Sequence, residues 1–519
     1  MGRLFIITIV IILITAGCKK NDYKTDPSIV PVDLSIPADS VKLNPYGYAP
    51  LSAIVNFSST IVGRTVIIVK GKHGGNTDIE NVFSDMGLSH SIQVIGLYAN
   101  YLNTVNIRLI NNAGDTIAKT TITIQTGVLP LNLPTSIETD ILANGPVEEG
   151  INLVSNYSSS HPQFPLMVDN YGDIRLLLDY TTHPFLHLLN YDCGIKRLRN
   201  GNFYFIEIET DKIYEIDLLG RVLNTWDLNT KGYFIHHDID EKPDGNFIAS
   251  VSKVGSTRKD GTASIEDYIV EIDRQSGNIK TVWDLKELLD ESRFLLTTNK
   301  HDWVHVNSVL YDSTDNTIIV SGRTQGVIKL TFDNKIKWII APHKGWGTNG
   351  RNEDLNQFLL TPLAADGLRI SDSSVLNGTI NHPEFEWCWY QHSTIALPNG
   401  DLMLFDNGTY RNYNASGSQY SRAVEYKIDP LNMTIQQKWQ YGKERGLETF
   451  SSIVSSVQFL PNTNHVLFCP GYNVLNTEGR GGKVVEVDYT TKQVISQLSF
   501  SAANNWGFHR AKRISAYPQ

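Results

Sequence analysis

His237-Asp-Ile-Asp-Glu-Lys-Pro-Asp-Gly-Asn-Phe-Ile248 is a strand, a tight turn and the start of a second strand, and the chain repeats this unit. Alternating apolar residues make the strands and Pro-Asp-Gly makes the turn. The unit returns as Gly194-Ile-Lys-Arg-Leu-Arg-Asn-Gly-Asn-Phe-Tyr-Phe205, Asn307-Ser-Val-Leu-Tyr-Asp312, His392-Ser-Thr-Ile-Ala-Leu-Pro-Asn-Gly-Asp401 and Ser455-Ser-Val-Gln-Phe-Leu-Pro461. Two more strand-like runs follow each one, such as Tyr268-Ile-Val-Glu-Ile-Asp273 and Lys280-Thr-Val-Trp-Asp-Leu285. Five four-stranded units result. A sixth assembles from Pro165–Asp179 and Arg510–Ile514, mixing both ends of the domain. Repeated units of this size close into a ring that leaves no long strand edge exposed. The expected fold is therefore all-β, a six-bladed β-propeller over 140–519. The insertion 341–388 is expected to fold over one face as a lid.

Upstream, Thr65-Val-Ile-Ile-Val69, Thr104-Val-Asn-Ile-Arg-Leu109 and Thr120-Thr-Ile-Thr-Ile124 alternate in the same way. They predict a small N-terminal β-sandwich over 36–128 that carries no chemistry. At the start, Arg3 precedes the apolar run Leu4–Ala16 and then Gly17-Cys18. The run is too short to span a bilayer and sits where a cleaved signal belongs. Thr15-Ala-Gly-Cys18 resembles a lipoprotein signal, in which the cysteine becomes the acylated first residue. Residues 1–18 are thus a signal peptide, Cys18 the lipidation site and 19–35 a polar tether. The protein is expected to be exported and lipid-anchored to the bacterial cell envelope, with plain secretion or an uncleaved anchor as the competing outcome.

The net charge of −9 and the lack of any long basic stretch exclude a nucleic-acid partner. Cys193, Cys388 and Cys469 are too widely spaced for a disulfide framework or a zinc motif. Cys193 is read as a buried thiol.

Aligning the hairpins on their turns brings chemistry together. His237 and His392 lie six residues before Pro243 and Pro398, and Asn307 takes the equivalent position in its own unit. His305 lies two residues earlier on the same strand, hence on the same face. Innermost strands line the central channel of a propeller, so these positions converge on one axis. The hairpin centred near 314–315 sets Arg323 across from 305–307. An arginine among histidines favours an oxyanion such as a sulfate or phosphate over a bound cation. Phe234 and Trp389 flank the site in sequence and are candidates to stack on an aromatic substrate. His236, on the opposite strand face, and His90 and His509 are read as structural.

These residues also carry a resemblance. Tyr48-Ala-Pro-Leu-Ser52, His236-His237-Asp238, Asp302-Trp-Val-His-Val-Asn-Ser308, Ser321-Gly-Arg323, Gln391-His392-Ser393 and His509-Arg-Ala511 resemble the bacterial arylsulfate sulfotransferases over nearly the whole mature chain. That family has periplasmic six-bladed propellers with a small N-terminal β-domain. The resemblance implies that His392 is the transiently sulfurylated nucleophile. It implies that His237, His305, Asn307 and Arg323 bind the sulfuryl oxygens and handle the leaving-group proton. It implies no cofactor, no metal and no nucleotide sulfate donor. The expected partners are aryl sulfates, phenols and, through the anchor, a membrane, with a homodimer as the assembly to consider. A non-catalytic propeller binding sulfated ligands or glycans, and an aryl sulfate hydrolase, are the alternatives.

Overall fold

The structure, a computed structural model, describes residues 28–518 apart from 131–132, 134–135, 142–144, 158–161, 191–192, 418 and 503–506. The signal peptide and Cys18 lie outside the described residues.

Six sheets form the propeller among the described residues, four of them four-stranded and antiparallel, the blade 5 sheet with five strands and the blade 6 sheet with six. Their innermost strands are Gly507–Ile514 (blade 1), Lys196–Arg197 (blade 2), Tyr233–Glu241 (blade 3), Val306–Asp312 (blade 4), His392–Ala396 (blade 5) and Ser456–Leu460 (blade 6). The second strands Phe203–Glu207, Leu402–Asp406 and His465–Cys469 are buried at every residue. Each is covered on both faces by the neighbouring blades, so an unbroken apolar run replaces the alternation of a half-exposed strand. Outer strands are tied across blades by a recurring device. The indole N–H of Trp226 donates to Arg274 O (2.7 Å), that of Trp283 to Thr331 O (2.9 Å) and that of Trp439 to Tyr489 O (2.7 Å).

Blade 1 closes the ring as expected. The C-terminal strand Gly507–Ile514 pairs with Ile151–Tyr157, and Pro165–Val168 and Ile174–Leu177 lie beyond it. A buried clasp holds this seam. Arg513 donates to Asn152 Oδ1 (2.9 Å), and its Nη2 lies 3.2 Å from Glu486 Oε2 in blade 6. Glu486 Oε1 also receives the Glu148 N–H at 2.7 Å. Arg513→Met leaves the Glu486 carboxylate buried without its guanidinium, so a loss of about 3–5 kcal/mol is expected in denaturant unfolding. An unchanged midpoint would show that the clasp does not hold the ring.

Three expected boundaries need correction. The strand Ser136–Ile141 already belongs to the propeller, as the outer edge of blade 6, so the boundary at 140 cuts through a strand. Val32–Asp33 pairs in parallel with Thr116–Gln125, so the tether to 35 runs into the sheet. The insertion 341–388 is not a lid. Its strand Thr361–Leu363 adds to the outermost strand of blade 5, and Trp387 and Phe385 seal it onto that blade's core.

The N-terminal domain is built around one long strand, Ala53–Val69. Ile79–Val94 follows one edge of it, and Val41–Leu43 and then Leu102–Ile110 share the other. The domain is fixed to the propeller. Tyr517 OH donates to Gln93 O (2.8 Å) and accepts from Ile95 N–H (2.9 Å). Arg175 donates to Gly96 O (2.8 Å) and Thr77 O (3.0 Å).

Candidate active site

Four of the inner strands lose ladder register at one end of the channel. The breaks fall between Ile235 and Ile239, Val306 and Ser308, His392 and Ile395, and Phe508 and Ala511. A bulge re-aims side chains out of the pleat, and here the re-aimed side chains are the candidate residues. His237 and His305 hold left-handed backbone (φ 51° and 52°), which non-glycine residues rarely adopt. Such strain costs about 1–3 kcal/mol per residue and persists where surrounding structure enforces it.

The breaks are unequal, and this separates two residues that the turn count made equivalent. His392 keeps its ladder partner Phe405, whereas His237 falls inside the break of its strand. Their rings therefore meet different neighbours.

His392 is buried. Its Nδ1 faces Asn407 Oδ1 at 2.7 Å and Tyr390 O at 3.0 Å. The Asn407 amide nitrogen donates to Ser451 O (2.8 Å) and Val454 O (3.2 Å), which fixes its carbonyl toward the imidazole. Two acceptors at Nδ1 require the proton there, so Nε2 keeps its lone pair. Burial, and then the charges of Arg323, His509 and His237, hold the ring well below the ordinary histidine pKa, against the Asn407 hydrogen bond.

His237 and His305 form a second group, with ring centroids 4.5 Å apart. His237 Nε2 lies 3.1 Å from Glu266 Oε2. His305 Nδ1 lies 2.8 Å from the same oxygen and 2.7 Å from Asp302 Oδ2. Despite burial, the neighbouring His237 and His236 and the hydrogen bonds from His237 and His305 hold the Glu266 carboxyl well below its usual range. His236, read as structural, sits 5.4 Å from His237 ring to ring, and His509 sits 6.5 Å from it. Both are buried.

Arg323 is anchored through its backbone N–H to His305 O (3.0 Å), as the hairpin count requires. Its Nη2 is 3.7 Å from Asp302 Oδ2 and its guanidinium 5.3 Å from the Tyr390 ring centroid. Its Nε is buried and has no protein partner, so donors remain for an anion.

Asn307 donates to Gln391 O (2.8 Å), and Gln391 Nε2 returns to Ser321 Oγ and Gly322 O (3.1 Å each). Asn307 thus ties blade 4 to the segment that carries His392. Beneath it, Arg510 joins Asn307 O (3.2 Å) to Asp238 (3.1 Å). Burial opposes the Asp238 charge, but Arg510 and Lys196 hold its pKa down to about 2.

The aromatic candidates divide. Phe234 is exposed and pairs with Ser252, whose hydroxyl receives the Glu266 N–H, so it stands at the rim. Trp389 is 1% exposed and packs edge-on against Tyr413 in the blade 5 core. Packing is its place. The ring facing Arg323 is its neighbour Tyr390, which also meets Tyr410 at 5.2 Å. Cys193 is buried, and desolvation pushes its thiol up to about 12, so it is no thiolate nucleophile.

Ligand-type atoms of His236, His237 and Glu266, and of Glu266, Asp302 and His305, lie within 4.8 Å of one another. Their contacts are hydrogen-bond distances, and Arg323 stands beside Asp302. The set suits proton sharing and anion binding better than a cation.

Two family models match the chain. The arylsulfotransferase model covers residues 139–509 and the arylsulfotransferase Ig-like domain model covers residues 40–127. The arylsulfate sulfotransferase AssT of Escherichia coli O6:H1 is 28% identical over 540 residues, 88% of this chain and 89% of that protein. The AssT of Lelliottia amnigena is 28% identical over 92% of this chain and 93% of its own length. Solved structures are more distant. A protein of unknown function from Bacteroides caccae superposes with a TM-score of 0.40 at 10% identity, covering 70% of this chain and 98% of its own. A streptogramin B lyase gives 0.31 at 13%, with the same coverage.

Proposed function

The chain belongs to the arylsulfotransferase family, and from that premise we propose that it moves a sulfuryl group from an aryl sulfate to a phenol, with His392 carrying the group in between. The observation that supports this most is the buried His392 imidazole with Nδ1 2.7 Å from Asn407 Oδ1, which leaves the Nε2 lone pair for attack when Nδ1 carries the proton.

In the first step the Nε2 lone pair attacks sulfur and the sulfur–oxygen bond to the aryl group breaks. Its electron pair leaves on the phenoxide, which takes a proton from the His237–His305 pair. In the second step an acceptor phenol returns that proton while its oxygen attacks sulfur, and the sulfur–nitrogen pair goes back to His392. The negative charge stays spread over the sulfuryl oxygens as the group moves in both steps, and Arg323 meets it with donors fixed in advance. Tyr390 and Phe234 offer faces to an aryl ring.

Release of a chromogenic phenol from its sulfate, with and without a second phenol, tests the reading. Release that depends on the acceptor is expected. Release independent of acceptor would mean hydrolysis, and none would mean a binding protein.

The leader supports a second part of the proposal, anchoring through acylated Cys18 at the cell envelope. Cys18→Ser is expected to move the protein from the membrane fraction to the soluble fraction with its turnover unchanged. Full retention in the membrane would instead assign the anchor to the apolar segment. No helix among the described residues is long and apolar enough to cross a membrane.

A further inference from the structure

Glu266 is the group at the channel mouth that the inner-strand pattern does not supply. It comes from the connection between the second and third strands of blade 3 and reaches back over the site. Its backbone is pinned on both sides, by Glu266 N–H to Ser252 Oγ (2.8 Å) and by Val306 N–H to Glu266 O (3.1 Å). Between those bonds it holds a left-handed φ of 56°. Strained backbone under that much constraint marks a side chain that must point one way. Its Oε2 meets a nitrogen of each histidine of the pair, 3.1 Å from His237 and 2.8 Å from His305.

Charge counting shows what the carboxylate does there. Glu266 and Asp302 bring two negative charges and Arg323 one positive charge. With both histidines neutral the mouth is net negative, the wrong sign for an aryl sulfate anion. One imidazolium restores neutrality. Below it, Lys196 (2.6 Å) and Arg510 (3.1 Å) both pair with Asp238, which leaves one positive charge over, but their donors are turned to Asp238, Ile239 O and Asn307 O rather than to Glu266 or Asp302.

Resting on the function proposed above, we propose that Glu266 is the positioning residue that keeps the His237–His305 pair carrying a proton, and so makes it the acid that protonates the departing phenoxide. Glu266 itself is unchanged through the cycle. The proton leaves an imidazolium nitrogen for the phenoxide oxygen as the sulfur–oxygen bond breaks. The resulting neutral imidazole takes a proton from the acceptor phenol in the second step.

An acid of this kind matters most when the leaving phenoxide is strongly basic. The test is kcat/KM of the full-length protein over a series of ring-substituted phenyl sulfates, for wild type and Glu266→Gln, with one acceptor held constant. The variant is expected to lose roughly hundredfold with unsubstituted phenyl sulfate and under about tenfold with 4-nitrophenyl sulfate. The plot against phenol acidity therefore steepens. An equal loss across the series, as a merely structural role gives, overturns the inference, and so does no loss. If the glutamine variant does not fold, Glu266→Asp is read on the same series. It keeps the charge but draws it back, and a smaller tilt of the same sign is expected, with a flat ratio again overturning the idea. Wild-type protein that turns over no aryl sulfate would bring down the functional reading and this inference with it, a result distinct from a normal wild type with a flat variant.

Discussion

Quenched with an aryl sulfate and no acceptor, the protein is expected to carry one added sulfuryl group on the peptide containing His392, and His392→Asn to carry none. Asparagine offers no basic nitrogen, so turnover should fall by roughly 10⁵-fold, the scale seen when a covalent nucleophile is removed. Steady-state rates with donor and acceptor varied together should give parallel double-reciprocal lines. The sign of the His392 shift adds a pH signature. A histidine whose folded pKa is depressed stays unprotonated as pH falls through its ordinary value. The first half-reaction should therefore hold its rate through about pH 6.5 on the His392 side and lose it only well below. His237→Asn should be slow yet still labelled. Label on His237 or His305, or intersecting lines with no label anywhere, would remove His392 from its role.

Arg323→Lys is expected to lose roughly a hundredfold or more in kcat/KM for the donor. Lysine keeps a charge near Asp302 but gives up three features of the guanidinium. These are its planar fork, the buried Nε that has no protein partner and the contact with the Tyr390 ring. The loss should appear mainly in kcat, because fixed donors act most on the sulfuryl group in its transition-state geometry. A lysine variant with near-native efficiency would show that the anion is held elsewhere.

The propeller is legible in the sequence because tight turns repeat and innermost strands must share one axis. That logic finds His237, His305, Asn307, Arg323 and His392 from local counting. It misses Glu266 and Asp302, which enter from connections whose length and path no strand pattern fixes. Asn407 is a different omission. Asn407 lies two residues past Phe405, the ladder partner of His392, so the same kind of hairpin count brings it close to His392 and the signal was present. His236 and His509, read as structural, are both buried, with rings 5.4 and 6.5 Å from that of His237. Trp389 fails for a simpler reason. Adjacency along the chain says little about which of two neighbouring rings, Trp389 or Tyr390, turns toward Arg323.

The seam in blade 1 joins strands from opposite ends of the propeller sequence. Synthesis delivers Ile151–Tyr157 early and its partner Gly507–Ile514 last. That late strand carries His509 and also Arg510, which braces Asn307 from below. Until it arrives, five blades surround a channel with one wall missing, and the edge of Ile151–Tyr157 stands open to any passing strand. Without residues 507–514 blade 1 has no inner strand and Asn307 O loses its Arg510 donor.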